Sequence, residues 1–405
     1  MEYTQILRCP EKKCMEVLTA GKLVLLKGKF KKDILVNGVF RCSTCGSTYH
    51  MRDGILNLIP ERIQKYAKGK SSQTSLSEYD RMIADGMIWN KKMVPSYHEN
   101  VVDQFTSARG ARETERYEDL FIDSVLDDLV KREHQKTIFL EMGVGTGRYV
   151  IRYGARMMNT HGNRNRRFTR TAIRSRRSRA CEDYRKDSVL GRYYSYDEDY
   201  DENLQLLIGI DFQEGMIKKC VDVLKAKRLG YLLGRRVLLF VAAGQYFNMS
   251  LGDAPEYRDS FKVVTCLFQT LGNQRKSQQI DLLKTMKRLA YPHGKVMISV
   301  FNSAKFKEFG LNRFYKDDVW PTVGNIREDP EALKYRNESI LLTDRGVYSK
   351  WFNKHELQNL FATAGMHAHV KEDYDLPDFA QHSGYLSSTK QQEVKGRLII
   401  AEAEL

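Results

Sequence analysis

An apolar run that ends in a carboxylate and then breaks into three alternate glycines constrains this chain most. It reads Ile138-Phe-Leu-Glu141-Met-Gly143-Val-Gly145-Thr-Gly147-Arg-Tyr149. Glycine has no Cβ, so its backbone reaches positive φ and lets a ligand come close. The pattern predicts a buried strand up to Glu141, a sharp turn and then a helix, the form of a nucleotide-type binding turn. It departs from the dinucleotide fingerprint, whose acid comes about twenty residues after the glycines. Here the acid comes first.

A second word of the same kind follows at Leu206-Leu-Ile-Gly-Ile-Asp211-Phe-Gln-Glu-Gly-Met216. A carboxylate at the C-terminal end of a strand in an open α/β sheet can accept both hydroxyls of a ribose. Two such strand ends side by side give a glycine floor, one acid for an amino group and one for a sugar. The other reading of Asp211 is a helix N-cap.

These two words resemble motifs I and II of the class I S-adenosylmethionine-dependent methyltransferases, and the likeness runs over roughly the last two thirds of the chain. It implies Glu141 near the methionine amino end, Gly143, Gly145 and Gly147 beneath the cofactor, and Asp211 on the ribose. Residues 237–245 match the third strand and the adenine-side loop. The family often has Asp there, whereas this chain has Ala243 or Gly244, which leaves Gln245 as the polar candidate. Residues 261–273 match the fourth strand and the loop facing the reacting methyl. A helix over 278–289, a Pro292-His293-Gly294 turn, a strand over 295–301, a late helix from Tyr348 to Ala364-Gly365 and a closing strand over 396–403 complete the pattern. The expected fold is α/β: a Rossmann-like, mostly parallel class I methyltransferase sheet with an antiparallel last strand, covered on both faces.

A chain of 405 residues calls for two domains or one with large insertions. No segment approaches the ~20 apolar residues of a membrane span. The opening residues carry no apolar signal core, which points to a cytoplasmic protein. The formal charge of +15 is unevenly spread. Residues 152–186 hold twelve Arg/Lys and two acids, residues 187–203 one Arg and six acids, and residues 1–66 twelve basic and six acidic residues. The remaining core is close to neutral.

Seven cysteines include two pairs, Cys9 with Cys14 and Cys42 with Cys45, either side of a lysine-rich, strand-like stretch. Two cysteine pairs on two turns bring four thiolates to one tetrahedral site, which suits structural Zn²⁺ in a module too small for its own core. A redox pair or a site that has lost its metal are the alternatives, and His50 is a substitute ligand or a surface histidine. The words that follow, Tyr49-His-Met-Arg-Asp53-Gly54-Ile55 to Pro60, resemble the small zinc-ribbon family that activates tRNA, rRNA and protein methyltransferases. Similar modules are fused to bacterial rRNA guanine-N1 methyltransferases. Asp53-Gly54 reads as a tight turn and residues 55–59 as a docking strand.

This divides the chain into a zinc-ribbon-like module over 1–60, a linker and helical cap over 61–135, and a methyltransferase domain over 136–405. In the cap, Tyr79, Trp89, Tyr97 and His98 either line the pocket or form a helical core. Between Gly147 and Asp211 lie 63 residues, roughly 40 more than one helix and a loop need. This surplus, about 157–203, is charged and poor in apolar residues, which predicts a mobile excursion. Its arginines, with Phe168 among them, suit RNA contact through 157–186, a nuclear-import patch, or a solvated loop neutralised by its acidic tail. A second insert, about 303–347, with Tyr315 and Trp320, reads as a substrate lid.

Methyl transfer needs alignment more than a base, so catalytic residues are harder to place. Gln269 and Asn273 are the polar candidates beside the methyl, with Tyr348, Trp351, His382 and Tyr385 as weaker pocket candidates and Cys266 as core. There is no Asn-Pro-Pro-Tyr word and no Pro-Cys nucleophile. The expectation is a methyltransferase acting on an N or O nucleophile of a small molecule. The alternatives are an rRNA or tRNA base methyltransferase holding RNA with the zinc module and arginine segment, and an inactive cofactor-binding assembly factor.

Overall fold

Alternating and tight-turn sequences at the front form four antiparallel strands: β1 (Leu23–Lys31), β2 (Ile34–Cys42), β3 (Thr48–Arg52) and β4 (Ile55–Asn57). Asp53 and Gly54 both have positive φ, 52° and 80°, and make the two-residue connection between β3 and β4. An Asp-Gly pair suits that turn because both central residues need left-handed backbone. In β3 the alternation is strict, with Tyr49 and Met51 buried and Thr48, His50 and Arg52 exposed.

Near-continuous apolar runs then give β5 (Thr137–Met142), β6 (Leu204–Asp211), β7 (Val237–Val241), β8 (Phe261–Cys266) and β9 (Gly294–Phe301). They are buried almost throughout, as parallel strands covered on both faces must be. A short hairpin, β10 (Ile340–Leu342) with β11 (Tyr348–Lys350), stands apart. β12 (His369–Glu372) and β13 (Leu398–Glu404) finish the main sheet. The computed structural model describes residues 3–15, 21–69, 76–77, 80–81, 83–84, 87, 118, 121–157, 203–308, 310–311, 325–344, 347–372 and 398–405.

The principal sheet has 11 strands in the order β1-β2-β3-β4-β7-β6-β5-β8-β9-β13-β12. From β7 to β9 every pairing is parallel. The last strand, β13, runs antiparallel between β9 and β12. From β7 to β12 this is the class I methyltransferase sheet, with β13 as the one reversed strand of that part, one position in from the edge. The docking strand read at 55–59 is realised over its first three residues as β4, which pairs in parallel with β7 through Leu56 and Asn57, so the front strands extend the same sheet.

Two helices, α1 (Glu61–Ala67) and α2 (Arg148–Arg156), and a third, α3 (Glu214–Ala226), contribute Ile63, Tyr149, Tyr153, Ile217 and Leu224 to one buried layer. On the other face, α4 (Lys276–Ala290) packs with α6 (Lys354–Thr363), Phe40, Tyr49 and Leu56. Between them in sequence, α5 (Pro330–Asn337) lies in the insert.

One expectation changes. The late helix read from Tyr348 begins only at Lys354, and Tyr348–Lys350 is strand β11. Asn353 sets the start: its Oδ1 accepts from the Glu356 N–H at 2.8 Å, and Glu356 Oε2 accepts from the Asn353 N–H at 2.9 Å. This reciprocal cap stabilises a helix start by about 1 kcal/mol. The helix ends at Ala364-Gly365 as read, with Gly365 at φ 76°. Tyr79, Trp89, Tyr97, His98, Tyr315, Trp320, His382 and Tyr385, and the arginine-rich segment from 158 to 202, lie outside the described residues.

Candidate cofactor crevice and cysteine cluster

From β5 the chain goes to β6 on one side, then crosses back to β8 on the other. A crevice opens at the strand C-termini at such a switch point. Glu141 lies there, buried near the end of β5. The turn after it is made by Gly143, Gly145 and Gly147 at φ 82°, 53° and 93°.

The three glycines have different reasons to be glycine. A Cβ on Gly143 would lie 2.4 Å from Thr270 Cγ2, and one on Gly147 would lie 2.2 Å from Cys220 Sγ. These two are packed by the protein itself. A Cβ on Gly145 would meet nothing within 4 Å. It is the open floor of the crevice, and its left-handed φ alone sets its identity.

Asp211, at the end of β6, holds that floor. Its Oδ2 accepts from the Gly145 N–H at 3.0 Å and its Oδ1 from the Gln213 N–H at 2.8 Å. The N-cap alternative does not describe it. Gln213 is the N-cap residue of α3, and Asp211 bonds to Gln213 itself, not to the first turn of the helix. Burial pushes the Asp211 carboxyl up to about 6, against the pull of those two N–H donors.

Gln245 is buried, and one of its amide N–H groups is engaged within the protein. It donates to the Gln274 side-chain oxygen, and its main-chain oxygen accepts from Thr285 Oγ1 at 3.0 Å. It ties the loop after β7 to α4 and to the loop after β8. Gln269 is likewise a tie. Its Oε1 accepts from the Phe301 N–H at 2.8 Å, while its Nε2 donates to Ser349 Oγ at 3.0 Å and to the Lys350 oxygen at 2.8 Å. Both amide hydrogens are used, so this side chain has no donor left for a substrate. Phe268 and Gln269 have φ 49° and 67°, two consecutive left-handed residues at the mouth of the crevice. Asn273 is exposed, and its N–H donates to the Gln269 oxygen at 3.0 Å.

Trp351 is fully buried, 4.7 Å from the Phe301 ring and 5.7 Å from Phe306, and is core. Tyr348 lies 5.8 Å under the Arg275 guanidinium, and burial pushes its phenol up to about 12. Cys266 is buried core as read.

Sequence reasoning missed a buried carboxylate, Glu118. Its Oε2 accepts from Arg148 Nη1 at 2.8 Å and from the Tyr149 hydroxyl at 2.9 Å. Its Oε1 accepts from the Phe268 N–H at 2.9 Å and from the Ser299 hydroxyl. One side chain from the cap region thus fastens the start of α2, the loop after β8 and strand β9. Only Arg148, directly after the last glycine, carried any signal of this.

At the front, the Sγ atoms of Cys9, Cys14, Cys42 and Cys45 all lie within 4.8 Å of one another. Cys9 and Cys45 are 3.6 Å apart and Cys14 and Cys42 3.8 Å. The N–H groups of Thr44 and Cys45 point at Cys42 Sγ, each at 3.4 Å. His50 is exposed on β3, and the cluster is made of the four cysteines without it.

No protein-family model matches this chain, and no curated protein matches it. Among solved structures it is similar to the CcbJ methyltransferase from Streptomyces caelestis, at 15% identity over 76% of this chain and 96% of that one, with a TM-score of 0.40. It is also similar to a 1,6-didemethyltoxoflavin-N1-methyltransferase from Burkholderia thailandensis solved with S-adenosylhomocysteine, at 12% identity over 82% and 92%, TM-score 0.39. A third is an S-adenosylmethionine-dependent methyltransferase from Clostridium acetobutylicum, at 8% identity over 78% and 98%, TM-score 0.37. The class I fold itself rests on the strand order from β7 to β12 and the one reversed strand within it.

Proposed function

We propose that this chain is an S-adenosylmethionine-dependent methyltransferase acting on an N or O nucleophile of a small molecule. The observation that carries the cofactor reading is the pairing of Gly145 with Asp211. An open glycine floor is clamped to a buried carboxylate at the switch point of the sheet. Each Asp211 oxygen has taken one N–H and keeps lone pairs for a ribose hydroxyl. Glu141 supplies the negative charge suited to an amino group. The cofactor brings the methyl on a sulfonium centre, already activated for displacement. The chain's part is to orient the acceptor and exclude water, and the Glu118 contacts hold together the start of α2, the loop after β8 and strand β9, which border the crevice. The near-neutral core supports a small acceptor.

Calorimetric titration with S-adenosylmethionine tests this reading. Wild type is expected to bind at micromolar Kd, and Gly145→Arg, whose side chain would occupy the open floor, to show no heat. A folded wild type that binds nothing would overturn the enzyme reading in favour of a scaffold. No helix among the described residues is long and apolar enough to cross a membrane.

We further infer that the four cysteines hold structural zinc. A tetrahedron of sulfurs about 2.3 Å from Zn²⁺ has edges of about 3.8 Å, close to the 3.6 and 3.8 Å separations here. Cys42→Ser should lower the bound zinc from about one equivalent to near zero and bring thermal unfolding down by several degrees. Metal content by mass spectrometry, read beside calorimetry, checks both. Full stability after complete chelation would reject a structural role.

A further inference from the structure

The outer face of the front sheet takes no part in the crevice or the cysteine cluster. Register places Val24 opposite Arg41, Lys27 opposite Val39 and Lys29 opposite Asn37 on β1 and β2. It continues Arg41 to Thr48 and Val39 to His50 on β3, and His50 to Asn57 on β4. Residues opposite one another in an antiparallel ladder share a face. Lys27, Lys29, Arg41, His50 and Arg52 therefore stand together, all exposed. The four strands contain no Asp or Glu, and the nearest acids, Asp33 and Asp53, sit in the turns. Among the described residues, no acidic side chain on these strands offsets the repulsion among these cations.

The rim of this face has a second property. Val24, Leu26 and Phe30, exposed by 49, 57 and 58%, all lie on the edge strand β1 among Lys27, Lys29 and Lys31; Val24, opposite Arg41, is on the cationic face, and Phe30, opposite Leu35, is on the other. Of the exposed large apolar side chains among the described residues, half are on this one strand. A free edge is ordinarily blunted by lysines alone; exposed apolar groups between the lysines are a cost without a partner. A ligand that answers both must carry regular negative charge and flat apolar surfaces.

We infer that this face is a docking surface for single-stranded RNA. Phosphates would lie along Lys27, Lys29, Arg41 and Arg52, and bases would stack on the exposed His50 imidazole and pack against Val24, which stands opposite Arg41. Asn37 and Asn57 each use Oδ1 on a backbone N–H, of Asp53 and Ile59. Their amide nitrogens, with the Thr48 hydroxyl, are neutral donors on this face for a 2′-hydroxyl, which DNA lacks. The face also lies on the α2 side of the sheet: Arg52 pairs with Ile55, which packs in the same layer as Tyr149 and Tyr153. The arginine-rich sequence follows α2 directly.

The test uses the full-length, zinc-loaded protein and a fluorescein-labelled single-stranded RNA of about 20 nucleotides, read by anisotropy across a salt series. Wild type is expected to bind with a steep loss of affinity as salt rises. Lys27→Gln, Lys29→Gln and Arg41→Gln combined should weaken binding about 10-fold or more and reduce the salt slope by about 2, at ~0.7 per lost phosphate contact. Val24→Ser should weaken binding without changing the slope, and Phe30→Ser, on the other face, should leave it unchanged. The same DNA sequence should bind less tightly. Unchanged affinity in the triple variant, loss only on deleting 158–202, or equal binding of polyglutamate would each overturn the assignment. Cofactor calorimetry on the same variants should match wild type. Failure here therefore leaves the methyltransferase reading standing, and failure of that reading leaves this one.

Discussion

Replacing Asp211 by alanine is expected to weaken S-adenosylmethionine binding by about 100-fold or more. Two hydroxyls donating to a buried carboxylate contribute about 1.5–3 kcal/mol each, and the substitution also releases the Gly145 N–H. The same group gives binding a pH dependence. Burial raises its carboxyl to about 6 from the ordinary 3.8 of an exposed aspartate. Hydroxyl donors favour the ionised form, so affinity should rise as pH passes through about 6 and level off above it. The linkage to folding has the opposite sign. The unfolded chain ionises this group near 3.8 and the folded chain resists until about 6, so its effect is to lower stability progressively across that window. Calorimetry from pH 5 to 8 is the check. A flat profile in wild type, or one that persists in Asp211→Asn, would remove Asp211 from the site.

Glu118→Ala should destabilise the fold by about 3 kcal/mol, because it leaves the Arg148 guanidinium and three neutral donors facing an emptied site. The figure is at the low end for breaking a buried pair, since Arg148 is partly open to water. Glu118→Gln, which keeps an acceptor and the shape, should recover a good part of that loss. A positioning role makes a further demand: cofactor affinity in the folded Ala variant should fall more than in Gln, since the glycine turn runs straight into Arg148. Chemical denaturation beside calorimetry separates the two effects. Wild-type stability in the Ala variant would show that the contact is dispensable.

Much of the crevice was legible because it is local. The strand, the acid and the glycines lie within twelve positions, from Ile138 to Tyr149, and each glycine's requirement is written in the backbone. The cysteine cluster was legible because thiolates at such spacings have few other uses. Glu118 was not, since its partners Phe268 and Ser299 are 150 and 181 residues away, and its neighbours in sequence are equally charged. Gln269 and Gln245 read as polar groups near the methyl and the adenine. Only the folded loops show the Gln269 amide consumed by Phe301, Ser349 and Lys350, and the Gln245 amide tied through one N–H to Gln274. Tyr348–Lys350 looked helical for a similar reason, as its partner β10 comes from an insert that no motif marks.

The parallel join of β4 to β7 carries a consequence for how the chain can be shortened. Val237–Val241 is wholly apolar and wholly buried, and it has β6 on one flank and β4 on the other. A polypeptide beginning after residue 60 would keep the parallel strands β5 to β9, yet it would leave a row of unsatisfied amides and carbonyls along β7. The front strands are therefore a selvage, finishing the fabric of the sheet so that it does not knit to the next molecule.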